Sequence, residues 1–204
     1  MNKVTIRMAL MGAFVLAAAL FFFACASAPK EEIAATQAAI QSAQTDDVRT
    51  YAADSLKDAT DTMAKATAEV QTQDDKFAMS RDYKAASDLL KQAKDKAAKA
   101  VTDAAANKAK TKADAETLIA SLTPMLEEAK KALATAPKGK DTKAELEAMQ
   151  NDLKSAGEAV TAASTAMSQE KYMDALAQAN AAKTKANGII EQVTAAKEKL
   201  KGKK

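Results

Sequence analysis

Any chemistry in this chain must come from carboxylates, hydroxyls, lysines, three tyrosines and one thiol. Adjacent acids stand at Glu31/Glu32, Asp46/Asp47, Asp74/Asp75 and Glu127/Glu128. Sequence neighbours point to different faces of a helix, so no pair makes a general acid–base dyad by itself; these read as helix-end or solvated-face acids. Serine and threonine are abundant, but no Gly-x-Ser-x-Gly elbow frames one and no His is present to activate it. The lack of His also removes the usual zinc ligand and near-neutral proton switch. The one thiol, Cys25, can form neither an intrachain disulfide nor a Cys-based metal cage. Pro137-Lys138-Gly139-Lys140 lacks the spacing of a phosphate loop, and no alternating oxygen ligands surround a Gly as calcium requires. The expectation is a protein that is not an enzyme, with no cofactor and no metal site.

Cys25 takes its meaning from what precedes it. Lys3 and Arg7 lead into an apolar run, Met8–Phe23, whose 16 residues fall short of a membrane-spanning helix, which needs roughly 20. Phe22-Phe23-Ala24-Cys25 closes the segment, and 1–24 resembles a bacterial lipoprotein signal ending in its lipobox. The resemblance implies cleavage before Cys25, a diacylglycerol thioether on its sulfur and a further N-acyl chain such as palmitate. Two or three chains anchor stably where one is marginal, each buried CH₂ adding ~0.8 kcal/mol. A membrane is therefore the expected partner, and the resemblance associates Ala26 with sorting to the outer membrane of a bacterial envelope, on its periplasmic or surface face. Ordinary secretion, with cleavage after Ala26 and loss of Cys25, is the alternative. Removing Lys3 and Arg7 lowers the formal charge from +3 to +1, so the basicity carries no message about nucleic acid.

The elements that must present these groups are helical. Ala supplies 52 of the 204 residues, and from Cys25 onward only 31 side chains are large and apolar. Ala has the best helix propensity, no period-two pattern appears, and prolines are confined to Pro29, Pro124 and Pro137. Breaks are expected at Thr45-Asp46-Asp47 and at Ala136–Asp141, the latter followed by a Thr142…Glu145 capping box. Tight turns are expected at Ser80-Arg81-Asp82 and Ser168-Gln169-Glu170, with Ser as N-cap. Pro124 either starts a helix or kinks a long one.

The apolar register repeats. Leu56, Met63, Val70 and Phe77, with Ala59 and Ala66 between, recur 90 residues later as Leu146, Leu153, Val160 and Met167, with Met149, Ala156 and Ala163 between. Tyr83, Ala86, Leu90, Ala93, Ala97, Ala100 and Ala104 recur 89 residues later as Tyr172, Ala175, Ala179, Ala182, Ala186, Ile189 and Val193. A short amphipathic helix precedes each pair: Ile119, Leu122, Leu126, Ala129 and Leu133 in one, and Ile33, Ile40 and Ala43, interrupted by Thr36, in the other. The 3-4 spacing is that of a coiled-coil seam. The expected fold is all-α: two tandem units of antiparallel Ala-rich helical hairpins in an elongated coiled-coil-like bundle. The expected division is a signal at 1–24, a lipid-anchored tether at 25–29, and three-helix units at 30–112 and 113–204. Acidic 54–75 lying against basic 84–112, and acidic 141–160 against basic 183–204, would neutralise each other, each exposed pair adding a few tenths of a kcal/mol. Tyr83 and Tyr172 are expected to plug the hairpin ends, with Met79, Met167 and Met173 filling gaps nearby.

With Tyr83-Lys84-Ala85-Ala86 and Tyr172-Met173-Asp174-Ala175 each opening a helix after a polar turn, the chain resembles the Ala-rich helical bacterial lipoproteins of a domain-of-unknown-function class. A looser likeness to tetratricopeptide hairpins lacks their period of about 34 residues. The resemblance implies a non-enzymatic envelope lipoprotein with a structural or protein-interaction role, and it carries over no functional residues. The basic end, Lys197-Glu198-Lys199-Leu200-Lys201-Gly202-Lys203-Lys204, reads either as a cationic helix end with a frayed tail or as a contact for anionic peptidoglycan or lipid through Lys201, Lys203 and Lys204. In its strongest form this end resembles murein lipoprotein, whose terminal Lys is joined to the wall, though the Tyr-Arg-Lys ending is missing here. The remaining alternatives are a binding module for a peptide, lipid or peptidoglycan, and a homo-oligomer formed through Ala-rich faces.

Overall fold

The computed structural model describes residues 27–139 and 142–201, the last of these, Lys201, by its backbone alone. Among the described residues all the longer elements are α-helices: α1 Lys30–Ala43, α2 Asp46–Tyr51, α3 Ala53–Asp74, α4 Lys84–Ala134, α5 Lys143–Ser168 and α6 Tyr172–Lys201, with one 3-10 turn at Ala78–Ser80. The protein is thus all-α, as its Ala content and lack of period-two patterning require.

Local chemistry sets the boundaries. Glu31 and Glu32 fall in the first turn of α1 and Asp46 and Asp47 in that of α2, where the helix dipole favours negative charge. The Thr45 hydroxyl accepts the Val48 N–H at 3.3 Å, which caps α2 and makes the break at Thr45–Asp47. Before α4 the cap is Asp82, whose Oδ1 accepts the Lys84 N–H at 2.9 Å. The expected serine caps do not form: Ser80 Oγ donates to the Phe77 carbonyl at 2.8 Å and Ser168 Oγ to the Thr165 carbonyl at 2.7 Å, both behind the turn. Nor does Thr142 make a capping box. Gly139 N–H reaches its Oγ1 first, at 2.9 Å, and the hydroxyl turns back to the Pro137 and Gly139 carbonyls. The α5–α6 turn is a Schellman motif: Lys171 N–H bonds the Ala166 carbonyl at 2.9 Å and Glu170 N–H that of Met167 at 3.1 Å, with Glu170 left-handed at φ 58°.

The chain divides into two compact units at the Ala105/Ala106 boundary, which falls inside α4. The expected short helix through Ile119–Leu133 is not separate; it is the second half of this 51-residue helix. No Gly or Pro stands between Lys84 and Thr123 to stop the helix. Pro124 lies inside it, where it removes the N–H that Ala120 would have bonded and crowds the Ala120 carbonyl.

In unit 1, Ala59, Met63 and Ala66 of α3 pack with Leu90, Ala93 and Ala97 of α4, and Ile40 and Ala43 of α1 close the cluster. Thr36 does not interrupt the α1 stripe. It is buried and its hydroxyl donates to the Leu90 carbonyl of α4 at 3.3 Å. Val48 and Ala52 cover Ala100 and Ala104. In unit 2, Leu122 packs with Ala156, Ala163, Ala179 and Ala182, while Ala129 and Met149 meet Ala186, Ile189 and Val193. Every member of the two ladders that begin at Tyr83 and Tyr172 is buried. Phe77 leaves its ladder, because α3 stops at Asp74, and it stands 75% exposed. Met79 and Met173 do not fill gaps either; both are exposed.

Charge pairing is mixed. Lys96 Nζ crosses from α4 to α3, donating to Asp58 Oδ1 at 2.9 Å and Thr62 Oγ1 at 3.0 Å, and Lys185 Nζ crosses from α6 to Asp152 Oδ1 of α5 at 2.8 Å. Lys57–Asp61, Lys84–Asp88, Lys99–Asp103 and Lys110–Asp114 instead pair within one helix at i, i+4.

Candidate functional site

The residues that could serve function are dispersed. Cys25, the expected lipid attachment point, lies outside the described residues together with the expected signal 1–24, and so do Lys203 and Lys204. Lys201 is the last residue of α6. Its neighbour in the basic run, Lys197, is engaged inside unit 2, with Nζ donating to Thr135 Oγ1 at 2.6 Å. The adjacent acids do not converge: two pairs start helices, Asp74/Asp75 ends α3, and Glu127 lies 3.8 Å from Lys130 on α4.

The densest polar arrangement is at one end of unit 1, where α3 turns into α4. Asp74 stands at the C-terminal end of α3, against the helix dipole, and Tyr83 OH donates to its Oδ1 at 2.5 Å. That bond, with desolvation second, raises the phenol above its ordinary value. The turn between them is knit together. Arg81 donates from Nη2 to the Asp74 carbonyl at 2.6 Å and from Nε to the Lys76 carbonyl at 3.0 Å. Gln73 is buried, and its Oε1 accepts from Lys76 Nζ at 3.0 Å and Asp82 N–H at 3.1 Å. The chain enters unit 1 here: Ala28 and Ile33 pack on Val70, Tyr83 and Ala86. A cleft of about 800 Å³ runs between Ser27–Glu32 and Asp74, Arg81, Tyr83 and Ser87. Its acids and bases are mixed.

In unit 2, Tyr172 is the first residue of α6. It is buried, and Lys112 Nζ lies 5.8 Å from its ring centroid, within cation–π reach. At the other end of unit 1, Asp103 accepts from Lys99 Nζ and from Ser55 Oγ at 2.7 Å, and these bonds hold its carboxyl below its ordinary value. Among the described residues no group of three or more His, Cys, Asp or Glu could hold a metal ion, and no helix is long and apolar enough to cross a membrane.

Sequence reading missed the Asp74–Tyr83–Arg81 arrangement. Its signal was present in principle: an acid at a helix end and a Tyr opening the next helix nine residues later. The Arg81 contacts to main-chain carbonyls have no counterpart in residue spacing.

Residues 31–116 match the profile of a family described as Domain of unknown function (DUF4398), covering α1 to the middle of α4. Neither a curated protein nor a solved structure matches the chain.

Proposed function

We propose that this chain is a non-enzymatic lipoprotein of a bacterial envelope, tethered through acyl chains on Cys25 and serving a structural or protein-interaction role at the outer membrane. The observation that carries the proposal is the single Cys of the chain, one residue beyond the apolar run Met8–Phe23 that follows Lys3 and Arg7. The similarity of 31–116 to a family without assigned function is compatible with this reading and adds no activity.

In this reading the two units are tandem copies of one three-helix design with coiled-coil-like seams. Lys96 and Lys185 stand 89 residues apart, the offset of Tyr83 and Tyr172. Their acceptors Thr62 and Asp152 stand 90 apart, the offset of Leu56 and Leu146. Each lysine bridges the two helices of its own hairpin at that shared place, which supports duplication more strongly than Ala ladders alone. An α3 of 22 residues is ~33 Å long at 1.5 Å per residue, so each unit offers a stiff spacer or a long docking face.

The test is the intact mass of the protein extracted from envelopes, before and after muramidase digestion. The expected mass is that of 25–204 plus diacylglyceryl and acyl groups, and Cys25→Ser should leave the membrane fraction. An unmodified chain beginning beyond Cys25 overturns the anchor. Muropeptide mass on Lys204 would make the protein a wall tether instead.

A further inference from the structure

We propose that the α3–α4 turn is a membrane-inserting tip: Phe77 and Met79 enter the surface of the bilayer to which Cys25 is tethered, so that unit 1 docks by its end as well as by its lipid. This rests on the anchor proposed above.

Phe77 and Met79 are 75% and 78% exposed, the two most exposed large apolar side chains among the described residues. A loose turn would let them fold back onto α3 and α4. This one is held open. Ser80 N and Oγ both donate to the Phe77 carbonyl at 2.8 Å, and Arg81 ties the Asp74 and Lys76 carbonyls. Asp82 N–H is bound by the buried Gln73. An ordered turn that presents a Phe and a Met to solvent has an apolar surface to meet.

The position of the turn identifies that surface. Ala28 packs on Val70, Tyr83 and Ala86, and Ser27 shares a cleft with Asp74, Arg81 and Tyr83, so the chain enters unit 1 at the end where the turn lies. Cys25 precedes Ser27 by two residues, a reach of at most about 7 Å. Acyl chains on its sulfur bring the bilayer to this end. Asp74, Asp75 and Asp82 balance Lys76, Arg81 and Lys84 around the turn, so the contact is apolar rather than a basic patch seeking anionic headgroups. Phe is among the side chains that interfacial segments bury at the headgroup–acyl boundary. Unit 2, which carries no such anchor, joins α5 to α6 by only Gln169, Glu170 and Lys171, with no large apolar side chain among them.

The chain lacks Trp, so Phe77→Trp and Met79→Trp each add one fluorophore at a site with little packing to disturb. Val101→Trp, also exposed and 17 residues beyond Lys84 on α4, lies ~25 Å along the helix and serves as control. The mature full-length chains are reconstituted into phosphatidylcholine vesicles brominated on the upper acyl chain. Phe77→Trp and Met79→Trp should lose roughly half or more of their emission and shift to the blue, as interfacial indoles do. Val101→Trp should keep its emission. Unquenched emission at both tip positions overturns the proposal, and so does quenching that requires added phosphatidylglycerol. A blue-shifted but unquenched tip would place protein rather than lipid over it and overturns it equally. Intact mass of the same preparations reads acylation at Cys25 separately: an unacylated chain sinks the anchor, while the quenching still decides the tip.

Discussion

Tyr83 joins the end of α3 to the start of α4 through one phenol, and its titration reports on that joint. Folding raises its pKa above 10.0 through the bond to Asp74, aided by desolvation and opposed by Arg81. A raised pKa means that the contribution to stability is fully present below the unfolded value and is lost as pH climbs through the folded one. Tyr83→Phe should therefore be less stable than the parent near neutrality, with the gap closing above about pH 10. Urea midpoints for both proteins across that range test this. Lys57 and Lys84, also raised by their Asp61 and Asp88 partners, titrate in both proteins and cancel in the comparison. Glu170 offers a second test. Its left-handed φ of 58° costs an L-residue energy that Gly escapes, so Glu170→Gly should stabilise the α5–α6 turn by about 1 kcal/mol and raise Tm. The residue scale is also where sequence reading was weakest. Thr36 looked like a gap in a stripe because a hydroxyl scores as polar, yet one carbonyl on the facing helix satisfies it. Thr142 and Ser168 carried the right letters for caps, but nearer backbone groups took their hydroxyls.

At the scale of the helices, the seams are set by Ala. Ala59, Ala66, Ala86 and Ala93 in unit 1, and Ala156, Ala163, Ala175 and Ala182 in unit 2, have essentially no accessible surface. Close-packed methyl groups leave no room for growth, so Ala66→Leu and Ala156→Leu should each destabilise their own unit by ~1–3 kcal/mol. Chemical denaturation would check this, and a neutral or stabilising result would mean that the helices are less tightly apposed. These positions were legible in advance, since a 3-4 spacing of small residues has one buried face. Phe77 was not, because a heptad register continues on paper past the point where α3 ends at Asp74. The full extent of α4 was hidden for the opposite reason. Pro124 reads as punctuation, yet the helix runs through it to Ala134 despite the lost bond and the ring's crowding of the preceding turn.

For the whole molecule, the informative stretch is the part of α4 around the Ala105/Ala106 boundary. Ala104 and Ala115 are buried, and no residue from 105 to 114 is. Their side chains lie at the helix surface, where Lys110 pairs with Asp114 and Lys112 reaches the Tyr172 ring. Ala106→Gly with Ala109→Gly should cost the helix ~1 kcal/mol per site and split thermal unfolding into two transitions, one per unit. A single unchanged transition would show that the units are coupled by more than this helix. Hydrogen exchange should already be faster over 106–114 than over 86–97, where Ala86, Leu90, Ala93 and Ala97 are buried.

The Ala-lined cores carry a thermal consequence as well. The heat-capacity increment of unfolding follows the apolar area that unfolding exposes, and a methyl group exposes far less than an isobutyl. With seams built from Ala59, Ala66, Ala93 and Ala97, or from Ala156, Ala163, Ala179 and Ala182, the increment should fall below the usual ~12–15 cal/mol/K per residue. A small increment flattens the stability curve. Such a protein gives up little of its maximum stability to the cold and little more to warmth, so its folded population changes slowly with temperature.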